Sequence, residues 1–363
     1  MRRQLVVGTV ACGASAPLLV ACSSGASHDA AARALRVPFA ANTSDGAMLM
    51  RELVRYAALA PSSHNTQCWK FRLQTQSIVI EPDLSRRCPV VDPDDHHLFV
   101  SLGCATENLV QAALANGLRA DARFDPQGAG SVAVALEATR AVPTSLFKAI
   151  TERQCTRGDY DSKPLSSAEL RLLEQAGTGR GVRVVLLTER PAMEQVLEYV
   201  VSGNTAQMNN PAFVDELKAW LRFSAVEAAE TGDGLYAGAS GNPSLPRWLG
   251  SRVMGLFFTP KSENERYARQ VRNSAGIAVF SSDASDKAHW VEAGRCYERF
   301  ALQATALGIR NAFLNQPVEV GSVRPQFAAA LGLGHQRPDL VVRFGRGAVM
   351  PMSMRRPVQA VLV

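Results

Sequence analysis

Two stretches of the chain, FVSLGCATENLVQAALANGLR at 99–119 and WVEAGRCYERFALQATALGIR at 290–310, align without a gap. Each has apolar residues at helical spacing and ends in Gly–apolar–Arg, the ending typical of a helix stopped by glycine. The identical pairs are Val100/Val291, Gly103/Gly294, Glu107/Glu298, Ala113/Ala304, Ala115/Ala306, Gly117/Gly308 and Arg119/Arg310. So many identities in one register predict a duplicated helix, and with it a core built from two related halves.

The first half is predicted over residues 46–144. Apolar periodicity indicates a helix over Met48–Leu59, and two β-rich runs, Trp69–Leu73 and Ser77–Ile80, predict a hairpin. The first copy of the repeated helix should begin at the Asp92-Pro93-Asp94-Asp95 cluster, whose carboxylates can cap it.

The second half is predicted over residues 145–363. Leu146–Arg153 has a helical pattern, Ser166 and Glu169 have the spacing of a capping box, and Val182–Leu187 indicates a buried strand. Residues 202–262 have no counterpart in the first half, and a segment of this length is typical of a lid or a partner surface.

The composition is that of a globular α+β protein. The chain has 363 residues, of which 47% are hydrophobic, 20% charged and 7% aromatic, with a net charge of +6. The basic residues are spread out and are not interleaved with aromatic residues, which argues against a nucleic-acid partner and favours a small anionic ligand. Five cysteines beyond residue 22, widely and irregularly spaced, indicate neither a disulfide framework nor a zinc site.

The N-terminal residues 1–22 have the layout of an export signal. Arg2 and Arg3 precede an apolar stretch that ends in Leu19-Val20-Ala21-Cys22. The ending resembles a lipoprotein signal with Cys22 as the lipid-bearing residue, and the arginine pair loosely matches the twin-arginine pattern; a plain secretory signal is the alternative. Residues 23–45 are rich in Ser, Ala and Gly and predict a tether. The expected location is therefore the periplasm or cell envelope, at the membrane through the lipid.

The densest polar string is APSSHNTQCWKF at 60–71, which follows the first predicted helix. Small hydroxyls and carboxamides there can make directional hydrogen bonds to a polar heterocycle; an ordinary capping loop would have the same residues. The string resembles the Ala-Pro-Ser-Ser-x-Asn-x-Gln-Pro-Trp-x-Phe loop of the FMN-dependent nitroreductase family, with Cys68 in place of the proline. The resemblance implies FMN contacts from Pro61, Ser62, Ser63, Asn65 and Gln67.

A second resemblance involves basic residues. Arg153-Gln154-Cys155-Thr156-Arg157 is similar to the Arg-x-Ser-x-Arg motif that grips the FMN phosphate in that family, with Cys155 in place of serine. Arg355 lies where the family has a last basic residue on the phosphate, and arginine forks suit phosphate oxygens. The glycine turn at Gly308 is a candidate wall of the flavin site, by analogy within the repeat.

The order of these motifs differs from the family's order. Nitroreductase chains place the arginine motif first, and two chains form a dimer whose flavins contact both subunits; here the loop lies in the first half and the arginines in the second. The chain therefore resembles a fused, intramolecular pseudo-dimer with one complete site, active as a monomer. Further strings resemble the two-lobed Acg-like branch of the family, namely Trp290–Arg295, Phe313–Pro317 and Arg343–Gly347.

The resemblance implies an FMN-binding oxidoreductase. NAD(P)H is the expected electron donor, with transfer through flavin N5 to a nitro compound, a quinone or a similar small acceptor, and no obligatory catalytic side chain. The alternatives are a non-catalytic flavin-binding or storage protein of the envelope with a closed lid, and a structural envelope lipoprotein without cofactor. His96 and His97 are adjacent and are interpreted as polar residues at a helix start, so no metal site is predicted.

Overall fold

The computed structural model describes residues 27–38 and 45–363. The predicted export signal, 1–22, and the lipidation residue Cys22 lie outside the described residues. The helices are α1 (27–34), α2 (Gly46–Ala58), α3 (His96–Ala115), α4 (Ser145–Ala149), α5 (Ser167–Gly177), α6 (Arg190–Met208), α7 (Pro211–Trp220), α8 (Ala225–Thr231), α9 (Arg247–Phe257), α10 (Pro260–Arg272), α11 (Lys287–Ala306), α12 (Gln316–Glu319) and α13 (Arg324–Ala330).

Two four-stranded antiparallel sheets account for most of the strands. The first has the order β1-β2-β4-β3 and the second the order β5-β8-β10-β9. Their strands are β1 (Trp69–Gln74), β2 (Ser77–Pro82), β3 (Leu118–Asp125), β4 (Ser131–Ala138), β5 (Val182–Leu187), β8 (Gly276–Ser282), β9 (Arg310–Phe313) and β10 (Arg337–Gly345), while β6 (Leu221–Arg222) and β7 (Leu235–Tyr236) form a short parallel pair. The predicted α+β class is confirmed.

The two sheets share one topology around their long helix. In each, two strands precede the helix and two follow it, and the last strand lies next to the second. The helices are α3 and α11, the two copies of the sequence repeat. The same order of strands therefore recurs around each of the two helices that the sequence identities align.

The repeated helices pack directly on each other at their repeated glycines. A Cβ atom built on Gly103 would lie 1.9 Å from the carbonyl oxygen of Val291, and one on Gly294 would lie 1.9 Å from that of Val100. Cys104 Sγ also lies 3.3 Å from the Gly294 oxygen. Backbone meets backbone at this crossing, which only glycine allows, and one hydrophobic core runs through both halves.

Helix α3 begins at the acidic cluster, as predicted, and one carboxylate does most of the capping. Asp92 accepts hydrogen bonds from the backbone amides of His97 at 3.0 Å and Leu98 at 2.9 Å. By length and composition α3 could span a membrane, but 78% of its most apolar window is buried inside the protein. Its hydrophobicity is thus used in packing against α2 and α11.

The C-terminal residues of the second half return to the first sheet. The amide of Phe71 in β1 donates to Val361 at 2.7 Å, and the amide of Val363 donates to Phe71 at 3.0 Å. The predicted division at residue 145 is therefore not a clean boundary, because the end of the segment 145–363 completes the edge of the sheet in 46–144.

Three predictions about the second half need correction. The helix predicted over Leu146–Arg153 ends at Ala149. The strand β5, predicted to be buried, is only half buried, with Val185 44% exposed, because it is the edge strand of its sheet. The capping box of Ser166 and Glu169 is confirmed. The segment 202–262 is largely helical, and the helices inserted between β5 and β8 run from α6 to α10, so the insertion is longer than predicted.

The tether predicted at 23–45 is wrong for residues 27–38. Helix α1 buries His28 and Ala32, each 1% exposed, in a cluster with Ala225, Tyr236 and Met354. A small-residue composition suggested a flexible linker, yet alanine is also the best helix former and packs closely. The N-terminal segment is therefore docked on the body.

We predict that Gly103→Ala destabilises the protein by about 3 kcal/mol or more, because the added methyl group overlaps the backbone of α11. Urea denaturation followed by circular dichroism measures the loss. Gly255→Ala in α9 is the matched control, since nothing lies within 4 Å of its added methyl and alanine favours the helix by up to about 1 kcal/mol. Equal stability of the two variants would contradict the close crossing.

Candidate functional site

A cavity of about 510 Å³ lies between the two halves and the inserted helices. It is lined by the loop 61–65, the start of α3, the segment 153–157, the insertion, β9 and its following turn, and the segment leading to Arg355. The volume suits a cofactor or a substrate of moderate size.

The loop after α2 is strained and held firmly. His64, Asn65 and Gln67 have φ values of +47°, +54° and +53°, a region that non-glycine residues seldom adopt. The Asn65 amide donates to the carbonyls of Gly234 at 3.0 Å and Met354 at 3.2 Å. These bonds come from the second half, so a distant part of the chain stabilises the loop.

Gln67 also supports the loop. It is fully buried, donates to the carbonyl of Gly232 at 2.9 Å and accepts from the amide of Arg356 at 2.7 Å. Gln67 does not line the cavity. These hydrogen bonds give Gln67 a structural role in holding the loop, and its predicted contact with the cofactor stays a prediction.

Arg355 is buried beneath the same loop. Its guanidinium donates to Asn65 Oδ1 at 2.9 Å and to the carbonyls of Leu59 and Ala60, both at 3.0 Å. Burial, followed by the neighbouring charges of Arg36 and Arg153, lowers the pKa of Arg355. Within the described residues its buried Nε has no hydrogen-bond partner.

Arg153 lies beside Arg355 and has a carboxylate partner. Its Nη2 donates to the Leu59 carbonyl at 2.8 Å, and its Nε lies 3.1 Å from Glu298 Oε1. Burial raises the pKa of Glu298 to about 7, against the opposing effect of the Arg153 charge. One carboxyl group thus faces two buried guanidinium groups.

The cavity has a strong excess of positive charge. Six arginines line it, with two glutamates, Glu263 and Glu319. Glu263 forms an ion pair with Arg266, and Glu319 accepts from Gln207 at 2.6 Å. The six arginines are Arg36, Arg153, Arg157, Arg266, Arg343 and Arg355. Such a concentration of charge favours an anionic ligand.

The predicted site residues fall into two groups. Gly308 is exposed, ends α11 with φ +70°, and does not line the cavity, because its role is to stop the helix. Like Gln67, it is not part of the cavity wall. The predicted residues that do line the cavity are Pro61, Ser62, Ser63, Asn65, Arg153, Arg157 and Arg355.

Arg36 and Arg343 were not predicted as site residues. Arg343 is fully buried, donates to the carbonyls of Thr156 and Gly158, and lies 4.1 Å from the centre of the Tyr160 ring. Its position within the run Leu340–Phe344 of β10, whose other residues are apolar, is a signal that sequence reasoning could have used. Arg36 lies in the supposed tether and gave no such signal.

The insertion lines the cavity with a set of apolar side chains. Its side chains come from α7, α9 and the loops around them, and Phe257, although it lines the cavity, is 71% exposed. The apolar residues are Phe213, Leu217, Phe223, Leu245, Val253, Met254, Phe257 and Phe258. The cavity lining therefore combines arginines with apolar side chains.

Asp92, His96 and His97 come together at the start of α3, with ligand atoms within 4.8 Å of one another. Their groups already have structural partners: Asp92 caps the helix, and His96 Nε2 lies 2.9 Å from Asp339 Oδ1. Burial lowers the pKa of His96 and of His97. The cluster holds the first turn of α3 against β10.

The cysteines form no disulfides in the described part of the chain. Cys68, Cys88, Cys104 and Cys296 are buried, and burial raises the pKa of each thiol. Cys155 lines the cavity. Thr156, the hydroxyl that could have replaced the missing serine, instead donates to Gln154 at 3.1 Å and lies outside the cavity wall.

Comparison of the sequence with known proteins finds two similar proteins. A protein of Mycobacterium tuberculosis strain H37Rv, provisionally named an NAD(P)H nitroreductase, is 25% identical over 342 residues, covering 90% of this chain and 94% of that protein. A protein of strain CDC 1551 with the same provisional name has the same values. No protein-family model matches the chain.

Solved structures with related folds include nitroreductases. One from Desulfitobacterium hafniense with bound FMN has a TM-score of 0.38 and 16% identity, covering 59% of this chain and 95% of that chain. An FMN-dependent nitroreductase from Mycobacterium smegmatis in complex with NADPH has a TM-score of 0.37 and 12% identity, covering 56% and 87%.

We predict that stability falls as the pH drops from about 6.5 towards 4, in part through His64. Burial, followed by the charges of Arg157 and His97, lowers the pKa of His64 from 6.5 to about 4. The folded state then binds fewer protons than the unfolded state in this window, so its stability is complete above pH 6.5 and is lost as the pH falls.

His64→Asn removes this titration and tolerates a positive φ. Its unfolding free energy, measured with urea at pH 7 and pH 5, should fall less than that of the wild type. His335→Asn, at an exposed position, is the matched control and should behave as the wild type. A pH dependence unchanged in His64→Asn would contradict the prediction.

Proposed function

We propose that the chain is an FMN-binding oxidoreductase of the nitroreductase type, which passes electrons from NAD(P)H to a small acceptor such as a nitro compound or a quinone. The observation that carries the proposal is the cavity itself, whose lining combines buried arginines with the apolar side chains of the insertion. The 25% identity to the M. tuberculosis protein over 90% of the chain supports it.

The residues present fit the two ends of FMN. A phosphate needs donors and positive charge, and Arg355 and Arg343 have buried guanidinium nitrogens without a partner among the described residues. Arg157 lines the cavity without an ion pair in the described residues. An apolar ring system suits the wall of the insertion. We assign Arg153, Arg157 and Arg355 to the phosphate, and Pro61, Ser62, Ser63 and Asn65 to the edge of the flavin.

FMN would supply the hydride and electron chemistry, and the chain supplies binding and orientation. Asn65 and Gln67 fix the loop, Ser62 Oγ accepts from the Gln67 amide at 2.9 Å, and the apolar wall excludes water from the site. We name no catalytic side chain, in keeping with a reaction that needs none from the protein.

We further propose that the chain is a fused pseudo-dimer of the two-lobed Acg-like branch, arisen by duplication and active as a monomer. The shared topology of the two sheets supports this proposal, as does the contribution of both halves to one cavity: the loop 61–65 from the first and the segment 153–157 from the second.

For location, we propose export to the periplasm or cell envelope, through the twin-arginine route, with a lipid on Cys22. Helix α1 begins at residue 27, only a few residues beyond Cys22. A lipid there would hold the body close to the membrane surface.

A second candidate is a flavin-binding protein without turnover. The inserted helices contribute many of the cavity's lining residues, so they could exclude a nicotinamide donor. The two functions share FMN binding and differ in reduction by NAD(P)H.

The chain purified from residue 23 onward should contain FMN, and its visible flavin band should bleach under anaerobic NADPH. A band that persists would favour the second candidate. Absence of a band, even after FMN is added, would contradict both candidates and the assignment of the loop and the arginines to this cofactor.

Arg157→Gln should weaken FMN binding by about tenfold, as expected for one lost charge-assisted hydrogen bond, and should leave riboflavin binding unchanged, because riboflavin lacks the phosphate. Flavin fluorescence titration measures both. Arg33→Gln is the control, since Arg33 is exposed and outside the cavity. Equal losses for both flavins would remove Arg157 from the phosphate site.

A further inference from the structure

Arg36 is a cavity-lining cation from a segment that precedes both halves. It follows α1, is only 8% exposed, and lines the same cavity as Arg153 and Arg355. Its guanidinium is held from two directions: Nη1 donates to the Ala32 carbonyl at 2.8 Å and Nη2 donates to the Ser353 carbonyl at 2.8 Å. It forms no ion pair with a carboxylate of the described residues.

A buried guanidinium without a counter-ion is costly unless something else neutralises it. Burial, followed by the charge of Arg153, lowers the pKa of Arg36 to about 10, so the group stays charged at neutral pH. Glu298 is the one buried carboxyl that faces Arg153, and Arg36 and Arg355 lie close enough for their charges to interact. The exposed carboxylate of Glu152 also acts on Arg36. Three buried guanidinium groups beside two carboxyls, one of them exposed to solvent, leave a positive charge that an anion would balance.

The segment that carries Arg36 is docked through several contacts. Arg55 of α2 donates to the Leu35 carbonyl at 3.0 Å, and the His28 ring lies 4.5 Å from that of Tyr236. Ser353, which accepts from Arg36, lines the cavity two residues before Arg355. Arg36 therefore links the docked segment directly to the C-terminal segment that carries Arg355.

We propose that Arg36 is part of the anion site of this cavity, so that binding of a phosphate-bearing ligand and docking of residues 27–38 stabilise each other. The identity of the ligand as FMN rests on the proposed function, whereas the presence of an anion site at Arg36 does not. The phosphate would neutralise Arg36 only when the segment is docked. The ligand therefore binds the docked state more tightly than the undocked state and shifts the equilibrium towards docking.

The test compares the intact chain with the variants Arg36→Gln, Arg36→Lys and the exposed control Arg33→Gln. In a flavin fluorescence titration, the FMN affinity of Arg36→Gln should be at least about tenfold lower than that of the wild type. Riboflavin affinity should be unchanged, Arg36→Lys should recover part of the loss because it keeps the charge, and Arg33→Gln should match the wild type.

A second readout follows the segment itself. Amide hydrogen exchange of residues 27–38 should slow when FMN is added to the wild type, should not slow with riboflavin, and should not respond to FMN in Arg36→Gln. A loss of affinity for both flavins in Arg36→Gln, an unchanged FMN affinity, or protection of the segment by riboflavin as well would each overturn the proposal.

Failure of the proposed function has its own signature. If the wild type binds neither flavin, the proposed function is wrong. The role of Arg36 in an anion site is then tested with inorganic phosphate. Phosphate should raise the Tm of the wild type and of Arg33→Gln more than that of Arg36→Gln; equal shifts in all three would overturn the anion site.

Discussion

The whole arrangement depends on a backbone contact between two helices. Gly103 of α3 and Gly294 of α11 place each helix against the carbonyls of the other, where a methyl group has no room. Once the helices cross here, the sheets are placed on either side of a common core. The cavity lies where the ends of the two halves meet, so its geometry follows from this contact.

The glutamates at matching positions of α3 and α11 have different partners around that contact. Glu107 bonds to Arg295 and Arg299 of the opposite helix, at 3.3 Å and 3.0 Å, and so ties α3 to α11. Glu298, its counterpart, is fully buried and faces Arg153 at the cavity. The same residue type serves helix packing in one copy and the site in the other, because the arginine segment 153–157 is near only the second.

The elements set by local interactions could be predicted, whereas those set by distant contacts could not. The repeat, the hairpin of β1 and β2, and the capping box at Ser166 follow from spacing and short-range hydrogen bonds. The docking of α1 depends on a pocket made by residues 225–239 and 352–354, which no local pattern indicates. The same holds for Gln67: a carboxamide in a polar loop is equally suited to a ligand or to the backbone, and the partners at Gly232 and Arg356 come from far along the chain.

The way the buried arginines are held explains how one cavity can keep so much charge. Arg36, Arg343 and Arg355 donate to neutral carbonyl oxygens, which fix the guanidinium groups without cancelling their charge. Two of these carbonyls, at Leu59 and Ala60, lie at the C-terminal end of α2, where the helix dipole is negative and favours cations. The charge therefore remains free to act on a ligand.

The recognition of a ligand then divides between two parts of the chain with different origins. Both amide hydrogens of Asn65 bond to Gly234 and Met354, and its carbonyl oxygen accepts from Arg355, so the contact proposed with the flavin edge would use the second lone pair of that oxygen. Anion recognition falls to the arginines, and the shape of an apolar ligand is read by the inserted helices. Since that insertion has no counterpart in the first half, the choice of acceptor under the proposed function would depend on the part of the chain in which the two halves differ most.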